Sequence, residues 1–347
     1  MISARSLSSA QRLSLAKTPK GSLVWLAAAI GVSIGVALLS LTIGTRDVPL
    51  SEVLAALSGD VSTLDRAAVA TRVPRTVLAL LAGAALGLAG AVMQGVTRNP
   101  LADPGILGVN VGASLAVVVG VAWFGISSAD AFIWIAIAGA AATAVFVYVI
   151  GSMGRGGATP LKLALAGTAT AIAFSSLVIA VVLPRADIAG GIRSWQIGGV
   201  GGATFERMQH IYPFLLVGFL LCLLSARRLN ALALGDELAA GLGERVAVAR
   251  GMATLGAVVL CGATTAVCGP IGFVGLVVPH ACRLLVGVDH RWLLPFSAIG
   301  GAILLTASDI LGRLAARPSE LEVGVVTALI GAPVFIFIVR RQKVRDL

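Results

Sequence analysis

Arg72 and Arg75 bracket a Val-Pro pair, and Asp309 and Arg313 stand four residues apart in a second apolar run. That spacing puts each pair on one helix face. Groups of this kind recognise carboxylates through charge-assisted hydrogen bonds. A bare acid near lipid is costly, so Asp309 and Arg313 are expected to pair with each other, in competition with any external partner for Arg313. His280 follows Pro279 and precedes Arg283 by about a turn, which fits a structural histidine near lipid headgroups better than a proton relay. Catalytic chemistry is not indicated. There is no HExxH motif and no nucleophile–base pair. Cys222, Cys261, Cys268 and Cys282 lie in apolar runs without ligand spacing and read as small buried hydrophobes. A phosphate-cradling loop needs glycines followed by Lys and Ser or Thr. None of Lys17, Lys20, Lys162 and Lys343 follows a glycine, so any ATP hydrolysis belongs to a separate subunit.

The elements that carry these residues are dictated by the solvent. Of 347 residues, 58% are hydrophobic and 12% charged, against roughly a quarter charged in a soluble domain. Most of the chain therefore faces lipid, and no polar stretch is long enough to bury a core of its own. The net charge of +10 does not imply nucleic acid, because the basic residues punctuate apolar segments as topology determinants do. The 42 glycines sit inside those segments and suit close helix packing.

The pattern predicts an all-α polytopic membrane protein with ten helices near 22–43, 74–97, 106–124, 131–151, 161–183, 209–226, 246–268, 271–287, 292–313 and 323–340. Residues 22–340 form one domain between basic tails at 1–21 and 341–347. Ser22–Ile43 is too long for a cleavable signal and reads as the first span. With the N-terminus inside, most of the 26 basic residues fall on the inner side, which places both termini in the cytoplasm. Pro74 is read as the start of the second helix, where its missing N–H costs nothing. Pro100 and Pro104 fix a tight hairpin after that helix. Residues 227–245, interrupted at Gly235 and Gly241, are expected to form two short helices at the inner surface.

The stretch GPIGFVGLVVPHACRLLVGVDHR, Gly269 to Arg291, closely resembles the signature of FecCD-type permeases, the membrane subunits of bacterial ABC importers for iron-siderophores, haem or cobalamin. Further strings agree in order from about Arg72 to Val339: RVPR at 72–75, NPLADPG at 99–105, LGDE from Leu234 with Leu242-Gly243, TASDILGRL at 306–314, and ELEVGVVTALIGAP at 320–333. Glu322 stands where the family usually has Pro.

The resemblance implies a type II ABC importer permease of the inner membrane, working by alternating access. It implies a second permease subunit (a homodimer or a heterodimer), two cytoplasmic ATPase subunits that use ATP and Mg2+, and an extracytoplasmic substrate-binding protein. No cofactor, metal or nucleic acid is expected on this chain itself. Arg72, Arg75 and Arg313 would dock the binding protein. Leu234, Gly235, Asp236, Glu237, Leu242 and Gly243 would form the coupling segment that seats in the ATPase. Thr168, Ile172 and Ser175 on the fifth helix would line the pathway, with Thr159 in a gate loop before it. The hydroxyls of that helix may equally bond back to carbonyls one turn earlier. The rival class is an ion-coupled secondary transporter, which keeps ionisable residues near the midplane. Here the acids lie at helix ends and in loops.

Overall fold

The computed structural model describes residues 19–153, 160–185, 190, 192 and 195–341, and all the regular structure among them is helical. Most of both basic tails, the loop 156–158 with Thr159, and Arg193 lie outside the described residues.

Helix α1 (Pro19–Thr42) leads through the short α2 (Leu50–Leu57) to α3 (Leu64–Thr97). This corrects the expected start at Pro74. Thr63 has extended backbone and its hydroxyl accepts the Arg66 N–H at 3.3 Å, while Asp65 complements the positive end of the helix. Pro74 rides inside the helix at the cost of one backbone hydrogen bond. Arg72 and Arg75 consequently lie well within α3 instead of at its edge.

Arg98 ends α3 in the left-handed conformation at φ 52°. Asn99 Oδ1 accepts the Leu101 N–H at 3.0 Å, and Asp103 Oδ1 accepts the Gly105 N–H at 2.7 Å. These side chains build the expected hairpin and start a 3-10 turn over Pro104–Leu107. Then come α4 (Val109–Phe124), α5 (Ala129–Ser152) and α6 (Pro160–Val182), with α4 packed between the other two. After α7 (Phe205–Gln209), α8 (Tyr212–Leu224) bends by 45° into α9 (Ala226–Leu232), and α10 (Asp236–Gly241) follows. The chain closes with α11 (Val246–Cys268), α12 (Val274–Val286), α13 (His290–Ala315) and α14 (Val323–Arg341).

Every expected span has a helix. By length and composition, six helices among the described residues qualify to cross a membrane, and the bent α8–α9 pair makes a seventh. Helices α4, α12 and α14 are apolar but shorter in their described extent. A crossing needs about 20 helical residues, so the sequence-based count of ten rests on elements of unequal length.

Helix α3 is the axis, with α11, α12 and α13 packed on it. Its seams are made of small residues. A methyl group at Gly83 would strike the Gly301 carbonyl, one at Gly87 the Ser297 carbonyl, and one at Gly90 the backbone of Gly275. Lipid offers little hydrophobic drive between helices, so this close backbone approach supplies the attraction through dispersion. A second device joins α3 to α12. Pro279 lacks the N–H that the Gly275 carbonyl would otherwise receive. The buried Gln94 amide of α3 supplies it, donating to Gly275 O at 3.2 Å and Leu276 O at 3.4 Å.

Candidate functional site

Two polar assemblies stand at opposite ends of α13. The first surrounds the C-terminus of α1, whose last carbonyls have no partner within the helix. Arg72 donates to Leu41 O at 3.0 Å, Thr42 O at 3.2 Å and Arg46 O at 2.6 Å. Arg313 donates to Ser40 O and Ile43 O, both at 2.9 Å, and to Ser40 Oγ at 2.7 Å. Arg317 reaches Gly44 O and pairs with Asp47 at 2.6 Å. That hydrogen bond holds Asp47 below the ordinary carboxylate value. Cations at a helix C-terminus also meet the negative end of its dipole. Asp309, with its side chain 1% exposed, bridges Arg75 at 2.7 Å and Arg313 at 3.1 Å. The expected Asp309–Arg313 pair is therefore present, and Arg75 shares it. Arg75 also binds Glu320 at 2.5 Å.

The structure thus brings Arg72, Arg75 and Arg313 to one end, as their types suggested, but turns two of them inward. Arg72 is 8% exposed and Arg313 1%. Arg75, whose side chain is 15% exposed, keeps an edge at the surface with Glu320.

The second assembly is the knob formed by α9 and α10. Gly235, at φ 109°, separates the two helices, and Gly243, at φ 85°, closes the segment. Leu229, Leu232 and Ala239 anchor the knob in the bundle, while Leu234, Leu238 and Leu242 point outward at 57%, 62% and 70% exposure. Glu237 lies on the same open surface. Asp236 ties the knob to Arg98 at the end of α3, at 3.0 Å, and to Arg250 on α11, at 2.8 Å.

A third tie was invisible to sequence reasoning. Asn230 Nδ2 donates to Asp289 Oδ1 at 2.6 Å, and Asn230 Oδ1 accepts the His290 N–H at 2.9 Å and meets His290 Nδ1 at 2.8 Å. Asp289 also caps α13 by accepting the Arg291 N–H at 2.9 Å. Burial opposes ionisation of Asp289, but the Arg291 N–H, the Asn230 amide and the charge of Arg291 outweigh it and hold its pKa below the ordinary value.

On α6, Thr168, Ile172 and Ser175 share an open face. Thr168 Oγ1 donates to Ala164 O at 2.8 Å, so its hydroxyl is satisfied within the helix. No cluster of three or more His, Cys, Asp or Glu suited to a metal occurs among the described residues.

A glycine-seamed helical bundle in which six helices among the described residues are long and apolar enough to cross a membrane is a multi-pass membrane protein. Residues 32–341 match the model of the FecCD transport family, and the chain belongs to that family. It is 47% identical over 305 residues to the ferric enterobactin transport system permease protein FepD of Escherichia coli K12, covering 88% of this chain and 91% of that one. Identity with the hemin transport system permease protein HmuU of Yersinia pestis is 39%, over 78% and 82% of the two chains. A solved structure described as an inward-facing metal-chelate type ABC transporter superposes with a TM-score of 0.79 at 28% identity, covering 92% of this chain and 99% of that one.

Proposed function

We propose that this chain is the membrane subunit of an ATP-driven importer of a ferric siderophore in a bacterial inner membrane, with both termini in the cytoplasm. The observation that carries the reading is the α9–α10 knob: three leucines exposed to water on a short rigid projection, in a chain without a nucleotide-binding loop. Such a stripe suits an apolar cleft on a separate ATPase, which would use ATP and Mg2+. Helix α6, packed on α4 and α5 and bare on its other side, would face a second permease copy or a related chain across the pathway. Family membership and the identity with the ferric enterobactin permease favour a ferric catecholate as cargo, ahead of haem or cobalamin.

At the opposite end, Arg75 and Glu320 would meet the substrate-binding protein, and Arg72 and Arg313 would hold α1 behind them. Asp309 does not resemble a coupling-ion site, because two arginines already neutralise it. The test is transport in proteoliposomes containing this chain and its co-purifying ATPase. ATP is supplied on the knob side, and binding proteins loaded with ferric enterobactin, ferric citrate or haem on the other. ATP-dependent accumulation of ferric enterobactin is expected. Uptake driven by an ion gradient and indifferent to ATP would overturn the reading.

A further inference from the structure

We propose that Asn230, Asp289 and His290 are positioning residues that transmit displacement of the α9–α10 knob into α13. This rests on the knob being the element that contacts the ATPase. Besides a contact of Arg228 with Met252 Sδ on α11 at 3.4 Å, two sets of polar ties hold the knob, and they differ in kind. Asp236 reaches Arg98 and Arg250 across a surface where its own side chain is 42% exposed, and water weakens such pairs. The Asn230 ties are partly buried. One amide uses both of its ends: the oxygen takes two contacts from His290, and the nitrogen donates to the carboxylate that caps α13. This fixes the amide's orientation and makes the first turn of α13 move with α9. Helix α13 as a whole has 26 residues, with Pro295 inside it just beyond the first turn, and spans about 39 Å at 1.5 Å per residue. It ends at Asp309 and Arg313, in the cluster that holds α1 and Arg75. One knot therefore joins the knob to the element that reaches the far face.

The imidazole supports this assignment. With its Nδ1 facing the Asn230 oxygen, His290 carries its free lone pair on Nε2. That atom is buried without a hydrogen-bond partner, directed at Gly95 of α3 and 2.6 Å from where a methyl group there would sit. The ring thereby packs the start of α13 against α3 at a glycine, where any larger residue would collide with it.

The experiment exchanges donor and acceptor. Asn230→Asp sets two carboxylates against each other. The double variant Asn230→Asp with Asp289→Asn reverses the 230–289 hydrogen bond and keeps an oxygen for the two His290 contacts, while the amide at 289 has to turn its own oxygen to the Arg291 N–H, because Asp289 Oδ1 now accepts both the Asn230 amide and that N–H. ATP hydrolysis and ferric enterobactin uptake are measured together in proteoliposomes with the ATPase and loaded binding protein. The single variant is expected to hydrolyse ATP while importing about fivefold less cargo per ATP, with recovery to about twofold of wild type in the exchange. A merely structural role would change the amount of assembled complex but not this ratio. If Asn230→Asp does not assemble, Asn230→Ala replaces it, because it removes the ties without adding charge. A wild-type ratio in an assembled disrupted variant, or no recovery in the exchange, overturns the inference. Wild-type complex that imports no ferric chelate under ATP overturns the permease reading itself, and this inference with it.

Discussion

The two ends of α13 solve opposite problems with similar residues. At the arginine end, every guanidinium of the expected docking trio is already engaged: Arg72 and Arg313 on the carbonyls of α1, Arg75 on Asp309 and Glu320. Arg75 and Arg313 share Asp309 while Arg72 is held by carbonyls alone, so the end is closed by hydrogen bonds as much as by charge pairing. At the knob end the polar ties are few, and Leu234, Leu238 and Leu242 are exposed. In the proposed importer the closed end would serve as a fulcrum and the open end as a handle. The contrast shows that the type of a residue does not disclose its role. Arg72 and Arg313 fasten a peripheral helix, α1, of which almost nothing else is buried, while Arg75 keeps an edge at the surface.

Breaking the closed end should have the largest effect. Arg313→Ala strands two α1 carbonyls and leaves the buried Asp309 with one arginine partner. Removing one member of a buried pair costs about 3–5 kcal/mol, so the detergent-solubilised protein should lose a large part of its thermal stability. Arg75→Ala should cost less, because Arg313 still holds Asp309, but it should lower binding-protein affinity. Equal thermal losses in the two variants, measured by fluorescence-monitored unfolding, would refute the division between fastening and docking residues.

The seam between the two ends comes next. Gly87→Leu forces a side chain into the Ser297 carbonyl, where only backbone movement makes room. Overpacking of this kind costs about 1–3 kcal/mol and should separate α3 from α13. Cargo imported per ATP should fall together with stability. At the knob, Asp236→Ala removes two half-exposed ion pairs, together worth about 1 kcal/mol or less. Unfolding should barely change, while the affinity for the ATPase, measured by titration in nanodiscs, should drop about threefold. Unchanged affinity would show that Asp236 does not orient the knob.

How far the sequence discloses this design depends on the range of each interaction. Local signals are legible: the glycine-bounded knob, the proline hairpin at 99–105 and the Asp309–Arg313 spacing all appear as expected. The start of α3 was hidden because Pro74 imitates a first-turn proline, whereas Thr63 and Asp65 carry the true cap. Once that start moves, Arg72 and Arg75 lie within α3 instead of at its edge, which places Arg72 against the end of α1. The Asn230 knot joins residues about sixty positions apart, and no periodicity reports such a contact. Gln94 was in principle readable: an internal Pro279 leaves a carbonyl in need of a donor, and an amide in an apolar helix is a natural source.

The smallest expected effect concerns Glu322, where the family usually has Pro. Its carboxylate lies against Gly199 at the start of α14. Burial raises its pKa above the ordinary 4.5; Arg75 pulls the other way, and Glu320 and Asp309 add to the rise. A carboxyl whose folded value is raised binds its proton more tightly when folded. Its contribution is therefore most favourable below pH 4.5 and declines as pH rises through the folded value, so the ionised group is a burden at neutral pH. Glu322→Gln should raise the unfolding temperature slightly at pH 7, and the gain should vanish near pH 4. A gain that persists at pH 4 would assign the effect to packing against Gly199 instead of to charge. A loss at pH 7 would mean that the carboxylate has a favourable partner at the arginine end, which would make that end more charge-selective than its closed network implies.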